Sequence, residues 1–232
     1  KNVIEKEYNI YTDKNIRNEG YKVNFISDLH FGTTMSNNEL QKYCDNISQR
    51  NVDIVILGGD IVDENTTLKQ MKDAFKILSS IKSNYGIVYV YGNHDKSRYA
   101  INPNYTEEEL KELIAECRIK ILEDDIYEIN NELCIIGRKD RSDSEERKSA
   151  QDLVSEFNKD YYTIIVDHQP CEINENSENG YDLMVSGHTH FGQIWPLGHL
   201  MNLFKINEMN YGYENFMEVL LGKAKKVFAL SK

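Results

Sequence analysis

Residues 53–60 read Asp-Ile-Val-Ile-Leu-Gly-Gly-Asp, an apolar run that stops at two glycines and an acid. The segment Asp53–Leu57 shows no alternation of polar and apolar residues, which is typical of a strand covered on both faces, as in a parallel sheet. The two glycines allow a tight backbone turn, so Asp60 stands just past the end of the strand. This pattern predicts a sheet whose strand ends carry polar chemistry.

Apolar runs of the same kind alternate with amphipathic segments along most of the chain. In Thr67–Ile81 the apolar residues recur at spacings of three and four, which predicts a helix. Thr106 and Glu109 form a capping box for a helix that runs to about Glu116. The other predicted helices are Asn37–Arg50 and Glu145–Phe157. The other predicted strands are Val23–Ser27, Gly86–Tyr91, Ile119–Leu122, Ile126–Ile129, Leu133–Ile136, Tyr162–Val166 and Leu183–Ser186. Alternation of strands and helices predicts an α/β fold, and the short central strands indicate mixed sheets.

The composition is that of one folded domain. The chain has 232 residues, of which 40% are hydrophobic and 28% charged, and this excludes collagen-like, disordered and low-complexity classes. Its 27 basic and 38 acidic residues give a net charge of −11, which disfavours sequence-independent binding to a nucleic-acid backbone. The four cysteines form no CxxC pair, so neither a zinc finger nor a disulfide scaffold is indicated.

Most histidines of the chain follow a predicted strand directly. Asp28, Asp60 and Asn93 stand at the same kind of position. Because ligands of open α/β sheets bind outside the carboxyl ends of the strands, we expect these side chains to converge at one edge. The histidines concerned are His30, His94, His168, His188 and His190, and His199 is the exception.

The spacing and the chemistry of these residues favour metal binding. Asp28 and His30, like His188 and His190, are two positions apart, which puts both members of a pair on one side of an extended backbone. Oxygen and imidazole ligands without thiolate suit manganese, iron or zinc. These candidate ligands are too many for one ion, and their number fits two ions that share a carboxylate.

The candidate residues fall in five short sequence motifs that follow one another along the chain. The motifs are Asp28-Leu29-His30, Gly59-Asp60, Gly92-Asn93-His94-Asp95, His168 and Gly187-His188-Thr189-His190. In these motifs the chain resembles the calcineurin-like metallophosphoesterases, from about Tyr21 to about Pro196. The flanking residues, such as Gly192–Ile194, are similar to a bacterial branch whose members are often membrane-associated or exported, although the family commonly has Gly or Ala where this chain has Phe191. The resemblance implies a single domain over residues 1–232, built as a four-layer αββα sandwich of two mixed β-sheets flanked by helices.

The resemblance also implies a centre of two divalent ions, with manganese expected first and iron or zinc as alternatives. One ion is expected on Asp28, His30, Asp60 and His190, and the other on Asp60, Asn93, His168 and His188, so that Asp60 bridges the two. The implied catalytic residue is His94, which faces the substrate and is held by Asp95.

The implied reaction is hydrolysis of a phosphomonoester, phosphodiester or pyrophosphate bond by direct attack of a hydroxide that bridges the ions. No GxSxG, Walker A or GxGxxG motif points to another chemistry. Two alternatives remain: a metal-dependent nuclease, and a non-catalytic metal-binding protein on the same fold. The charge of −11 counts against the first, and the presence of every ligand and of His94 counts against the second.

Arg138, Asp140 and Arg141 are predicted to bind substrate. They follow a short strand and precede His168 in the order typical of the family. An arginine can hold a phosphate through two parallel hydrogen bonds. The alternative is a turn held by internal pairing of arginine and aspartate.

The substrate is expected to be a small molecule or lipid-linked, because an apolar stretch, Phe191–Phe204, follows the last ligand. This stretch, the absence of a starting methionine and the similarity to an often membrane-associated branch predict a membrane-associated protein, tethered through a segment upstream of Lys1; the alternative is a cytoplasmic enzyme. The stretch has an alternative of its own, as an ordinary edge of the core. Nucleic acid is not an expected partner, and a monomer is expected. The roughly twenty residues from Glu214 to Lys232 depart from the family pattern.

Overall fold

The computed structural model of the chain describes residues 4–143, 146–188 and 224–231, the last of these as backbone only. The helices are α1 (Asn37–Ser48), α2 (Leu68–Leu78), α3 (Glu107–Glu116), α4 (Ala150–Val154) and α5 (Ile173–Glu178). The strands are β1 (Ile4–Tyr11), β2 (Val23–Ile26), β3 (Ile54–Leu57), β4 (Ile87–Tyr89), β5 (Lys120–Ile121), β6 (Asp125–Ile129), β7 (Leu133–Gly137), β8 (Tyr162–Val166), β9 (Leu183–Val185) and β10 (Ala224–Ser231).

The strands form two mixed sheets. The first has six strands in the order β1-β10-β2-β3-β4-β5, in which β1 is antiparallel to β10 and the remaining neighbours are parallel. The second has four strands in the order β6-β7-β8-β9, in which β6 is antiparallel and the others are parallel. In each sheet the parallel strands therefore end at a common edge.

Alternation along the buried strands assigns side chains to different layers. In β3, Ile54 and Ile56 face an apolar layer shared with β7 and β8, whereas Val55 and Leu57 face the helices α1, α2 and α3. On the far side of the second sheet, Cys134 of β7 packs with Leu153 of α4. The predicted four-layer αββα sandwich is confirmed.

The first three helices begin at capping boxes. The Ser36, Thr67 and Thr106 hydroxyls each accept from the backbone three residues on, and the side chain at that position returns the bond. Each box satisfies two N–H groups that a helix start leaves without an intrahelical partner. The predicted helices in these regions are confirmed: α1 and α2 end two and three residues earlier than predicted, and α3 ends at Glu116 as predicted.

The predicted helix Glu145–Phe157 is wrong in length, because α4 covers only Ala150–Val154. The residues before it are held by partners that are distant in sequence: Arg147 pairs with Asp167, and the Lys148 N–H donates to Asp124 Oδ2 at 2.8 Å. Strand β1 and helix α5 were not predicted. Strand β10 forms within the atypical tail, whereas the Phe191–Phe204 stretch lies outside the described residues.

Candidate metal centre

The loops that follow β2, β3, β4, β8 and β9 meet at the carboxyl ends of their strands. They carry Asp28, Asp60, Asn93, His168 and His188 respectively. Backbone hydrogen bonds join the first two loops, since the Asp28 N–H donates to Gly59 O and the His30 N–H to Asp60 O, both at 3.0 Å. The convergence predicted from the strand ends is found for these residues, while His190 lies outside the described part of the chain.

The backbone at these positions is left-handed rather than extended. Asp28, His30, Asp60 and His188 have φ values of 55°, 43°, 51° and 69°. Side chains other than glycine avoid this region, and such strain persists where the surrounding structure holds it, often at functional sites. The expected cause of the Asp28–His30 pairing, alternation along a strand, is therefore wrong: a left-handed turn brings the two side chains to one side.

Two groups of potential metal ligands share Asp60. Asp28, His30 and Asp60 form the first, which we call the Asp28 group, and Asp60, His168 and His188 form the second, the His168 group. Within each group the ligand atoms lie within 4.8 Å of one another. A shared carboxylate between two such groups is the arrangement that two neighbouring divalent ions require.

Each histidine of these groups is oriented by a bond from its other ring nitrogen. His30 Nδ1 lies 3.1 Å from Asp63 Oδ2, and His168 Nδ1 donates to the Gly58 carbonyl at 2.8 Å. These contacts leave Nε2 of both rings on the side of Asp60, at 3.7 Å and 3.1 Å from its Oδ2. Hydrogen bonds of this kind, from groups that do not themselves bind the metal, fix the ring orientation and the tautomer of metal-binding histidines.

His188 is tied to the remaining loops. Its Nδ1 lies 2.9 Å from Asn93 Oδ1, and its backbone N–H donates to Asp28 Oδ1 at 2.8 Å. The His188 and His168 rings meet edge to face, with centroids 5.3 Å apart. Asn93 thus stands at the His168 group, where the sequence predicted it.

The centre fits a cation. Asp60 Oδ2 and His168 Nε2 are both buried, and neither makes a hydrogen bond within the described residues. Burial alone would lower the pKa of His168, but the charge of Asp60 raises it to about 10. Burial alone would raise the pKa of Asp60, and the His168 imidazole holds it well below its usual range instead. Both shifts arise from the attraction between the Asp60 carboxylate and a positive charge on His168, and a divalent ion would supply such a charge in its place.

Glycines pack directly against the potential ligands. A Cβ on Gly92 would lie 2.2 Å from Asp60 Oδ1, and a Cβ on Gly187 would lie 2.5 Å from Asp28 Oδ2. A real Cβ atom essentially never approaches another atom this closely. The two glycines of these loops are therefore required by the position of the carboxylates beside them.

His94 is held by a different acid from the one expected. Its Nδ1 lies 2.9 Å from Oε2 of Glu64, and its ring also contacts His30, with centroids 5.5 Å apart. Because an ionised carboxylate only accepts, this contact places the proton on Nδ1 and leaves Nε2 as the second nitrogen. Glu64 directly follows Asp63 in sequence, but no spacing rule distinguishes it from other acids nearby.

Asp95 holds the backbone, and the prediction that it holds the His94 ring is wrong. Its carboxylate is fully buried and accepts from the N–H groups of Asp60, Ile61 and Gly92, at 2.7, 2.9 and 2.6 Å. Burial, followed by the charge of Asp60, raises its pKa, and the backbone N–H groups act in the opposite direction. Asp95 therefore fastens the Asp60 loop to the His94 loop without reaching the reacting groups.

The three residues predicted to bind substrate have different surroundings. Arg138 is 1% exposed and faces Asp124 and Glu172, each at 3.3 Å, which is the internal pairing given as the alternative. Asp140 is also buried and accepts from Gln169 Nε2 at 3.2 Å, so it is joined to the loop of His168. Arg141 is exposed to solvent.

Comparison with known proteins gives one consistent result. A family profile described as calcineurin-like phosphoesterase matches residues 21–192. An uncharacterized metallophosphoesterase of Helicobacter pylori is 30% identical over 202 residues, which are 85% of this chain and 51% of that protein. The uncharacterized metallophosphoesterase YkoQ of Bacillus subtilis is 30% identical over 191 residues, which are 80% of this chain and 67% of that protein.

A third relative has a name that mentions the membrane. It is the transmembrane protein with metallophosphoesterase domain of Danio rerio, 26% identical over 201 residues, which are 80% of this chain and 44% of that protein. The chain thus spans about half the length of the Helicobacter relative and less of this one. Among the described residues, no helix has the length and apolar character needed to traverse a bilayer.

Proposed function

Because the chain belongs to the calcineurin-like phosphoesterase family, we propose that it hydrolyses a phosphomonoester, phosphodiester or pyrophosphate bond of a small or lipid-linked substrate. Family membership makes it a metal-dependent phosphoric ester hydrolase. The observation that carries the proposal is the pair of ligand groups that share the buried Asp60. Water is the nucleophile in this proposal and attacks phosphorus directly.

The proposed ligands follow the two groups. His190 completes the Asp28 group, and Asn93 completes the His168 group, beside His188. When bound, two divalent ions would lower the pKa of water and polarise the phosphoryl oxygens. The mixture of oxygen and imidazole ligands without thiolate suits manganese, iron or zinc, and manganese is the first metal to be tested.

The chain's own residues orient the reacting groups. Asp63 and the Gly58 carbonyl hold the rings of His30 and His168, so that both Nε2 atoms face Asp60. His94 is placed beside this centre by its backbone N–H, which donates to Asp60 Oδ1 at 2.9 Å.

His94 is the proposed general acid. With Nδ1–H committed to Glu64, the proton that reaches the leaving oxygen comes from Nε2. A positioned acid of this kind contributes roughly 10²–10⁴-fold to the rate. Of the two arginines in residues 138–141, Arg141 is exposed and is the one proposed to bind a phosphate oxygen. Arg138 is buried among its own partners.

Metal stoichiometry and activity of Asp60→Asn test the proposal. The protein is loaded with Mn²⁺, its bound metal is counted, and hydrolysis of a chromogenic phosphodiester and a chromogenic phosphomonoester is measured. The wild-type protein is expected to hold two ions, and Asp60→Asn fewer than two with activity lost, because the change removes the charge between two dications. Asp45→Asn, on the exposed face of α1, is the matched control and should resemble the wild type. Two tightly bound ions and near-normal turnover in Asp60→Asn would refute the shared-carboxylate assignment.

A membrane location is the second part of the proposal. The Danio rerio relative carries the word transmembrane in its name, and this chain matches 44% of that protein. A tether would concentrate the enzyme at a surface that holds a lipid-linked substrate. Fractionation of cells that express the complete gene tests this: recovery wholly in the soluble fraction would contradict it.

A further inference from the structure

A segment directly after His94 is held rigidly at both of its ends. Residues 97–105, which we call the 97–105 segment, start at the buried Ser97, whose N–H donates to His94 O at 2.9 Å. They end at the buried Tyr105, whose hydroxyl lies 2.9 Å from Asp95 O and 3.3 Å from Asp63 O. Both anchors are to the loops that form the metal centre.

Ion pairs fasten the same segment from the outside. Arg98 Nη2 lies 3.0 Å from Asp143 Oδ2, and the adjoining Lys96 lies within 2.9 Å of carboxylates of Glu107, Glu123 and Asp143. The Lys96 side chain is only 7% exposed, so this cluster is screened from solvent on most sides. The backbone that carries the next side chains is therefore preorganised.

Between these anchors the segment presents two large apolar side chains to solvent. Tyr99 is 60% exposed and Ile101 is 96% exposed, and within the described residues the third exposed side chain of this kind is Tyr11, in β1. A single exposed apolar residue is ordinary in a folded protein. The position of Tyr99 is not ordinary, because its ring contacts that of His94, with centroids 5.3 Å apart.

The proposed reaction indicates where the substrate would lie relative to the contact between His94 and Tyr99. His94 packs against His30 of the Asp28 group and against Tyr99 at the surface. If His94 protonates the leaving oxygen, the phosphorus lies at the metal centre, and the organic part of the leaving group extends outward past His94. Among the described residues, the exposed aromatic ring that it meets there is that of Tyr99.

We propose that Tyr99 forms the wall of a subsite that binds an apolar leaving group, so that the preferred substrates are phosphoesters of hydrophobic alcohols. The subsite rests on the proposed function, since it assumes that His94 faces the leaving oxygen. The charges nearby support an uncharged leaving group: Glu64 lies beside His94, and the cations Lys96 and Arg98 are already paired with carboxylates. A rigid tyrosine loses little conformational freedom when it takes up a ligand.

A series of esters with unactivated alcohols of similar acidity tests the subsite. Ethyl, butyl, octyl and benzyl phosphates are used, as monoesters or as symmetric diesters, whichever class the Mn²⁺-loaded wild type hydrolyses. For the wild type, kcat/KM should rise from ethyl to octyl by up to about fourfold for each methylene group that the subsite buries. The benzyl ester shows whether an aromatic group is preferred to an aliphatic chain.

Variants of Tyr99 separate binding from support of His94. Tyr99→Ala should flatten the rise from ethyl to octyl and lower benzyl hydrolysis, with the ethyl ester affected least, whereas Tyr99→Phe should keep the rise. Tyr11→Ala, which removes an aromatic ring of similar exposure in β1, is the control. An equal loss for all esters in Tyr99→Ala would show that the ring only supports His94, and no loss would show that it has no role; either result overturns the subsite. Failure of the wild type to hydrolyse any phosphomonoester, phosphodiester or pyrophosphate, chromogenic esters included, would instead refute the proposed function, and the subsite with it.

Discussion

Replacement of Gly92 by alanine is the most direct structural test of the centre. The added Cβ would lie 2.2 Å from Asp60 Oδ1, about 1.2 Å inside the 3.4 Å at which ordinary van der Waals contact begins. It would also lie 2.6 Å from the Asp60 backbone nitrogen, and rotation of the Asp60 side chain cannot relieve this second overlap. The Asp60 loop must therefore move by about 1 Å.

A shift of this size affects both halves of the site. Asp60 Oδ1 accepts the His94 N–H at 2.9 Å, and Oδ2 lies 3.1 Å from His168 Nε2, so the displacement disturbs His94 and the His168 group together. A misplacement of 1 Å at a reacting centre costs on the order of 10²-fold in rate. We expect Gly92→Ala to lower kcat/KM by about that factor and to bind Mn²⁺ more weakly than the wild type.

The assay combines metal titration, phosphodiester hydrolysis and denaturant unfolding of the metal-free protein. Gly86→Ala is the matched control: Gly86 has a φ of +82° with no atom within 4 Å of an added Cβ, so alanine there costs about 1–2 kcal/mol of strain and touches nothing. The control should lose stability and keep its activity at saturating Mn²⁺. If Gly92→Ala bound two ions with wild-type affinity and turned over normally, metal binding and turnover would not depend on the present position of Asp60.

Four further outcomes follow from the contacts of individual side chains. His94→Ala should keep its metal and lose roughly 10²–10⁴-fold in turnover, less for nitrophenyl esters, because a good leaving group needs no proton; loss of metal in this variant would make His94 a ligand. Glu64→Gln should lose roughly 10–100-fold at unchanged metal content, as measured by the same assay, since it weakens the hold on the ring. Arg138→Lys should lower the melting temperature, at a cost of about 1–3 kcal/mol, and leave KM unchanged, because the guanidinium is buried in internal pairs; a raised KM would indicate contact with phosphate. Burial would raise the pKa of Asp53, but the Lys22 N–H and the Arg17 guanidinium lower it below its usual value; Asp53→Asn should therefore cost about 2 kcal/mol in denaturant unfolding at pH 7, and this difference should shrink as the pH falls below about 4.

Local signals in the sequence were sufficient for most of the fold. The capping box at Thr106 and Glu109 placed a helix start correctly, and the predicted strand Tyr162–Val166 has the observed bounds. The helix predicted from Glu145 failed because side chains far along the chain hold residues 147 and 148. Periodicity describes neighbours in sequence and carries no information on such distant partners.

The candidate site was predictable in position and less so in detail. Strand ends of a parallel sheet meet at one edge, so the convergence of Asp28, Asp60 and His168 follows from the pattern of strands. The left-handed turns at Asp28 and His30 do not follow, because neither residue type requires a positive φ. The choice of Glu64 as the partner of His94 depends on how two loops pack, which no spacing in the sequence encodes.

The placement of β10 between β1 and β2 has a consequence for how the chain reaches its native state. Val227 pairs with Val23, more than two hundred positions away, and β1 is hydrogen-bonded to β10 rather than to β2. Loop-closure entropy of such a pairing must be overcome before its contacts form, and folds dominated by distant contacts fold slowly. On the ribosome, β2, β3 and β4 would be synthesised long before β10, so the edge of β2 stays open until β10 has been made. An unpaired strand edge of this kind can pair with another chain and lead to aggregation. The edge of β2 is exposed to such pairing until β10 covers it.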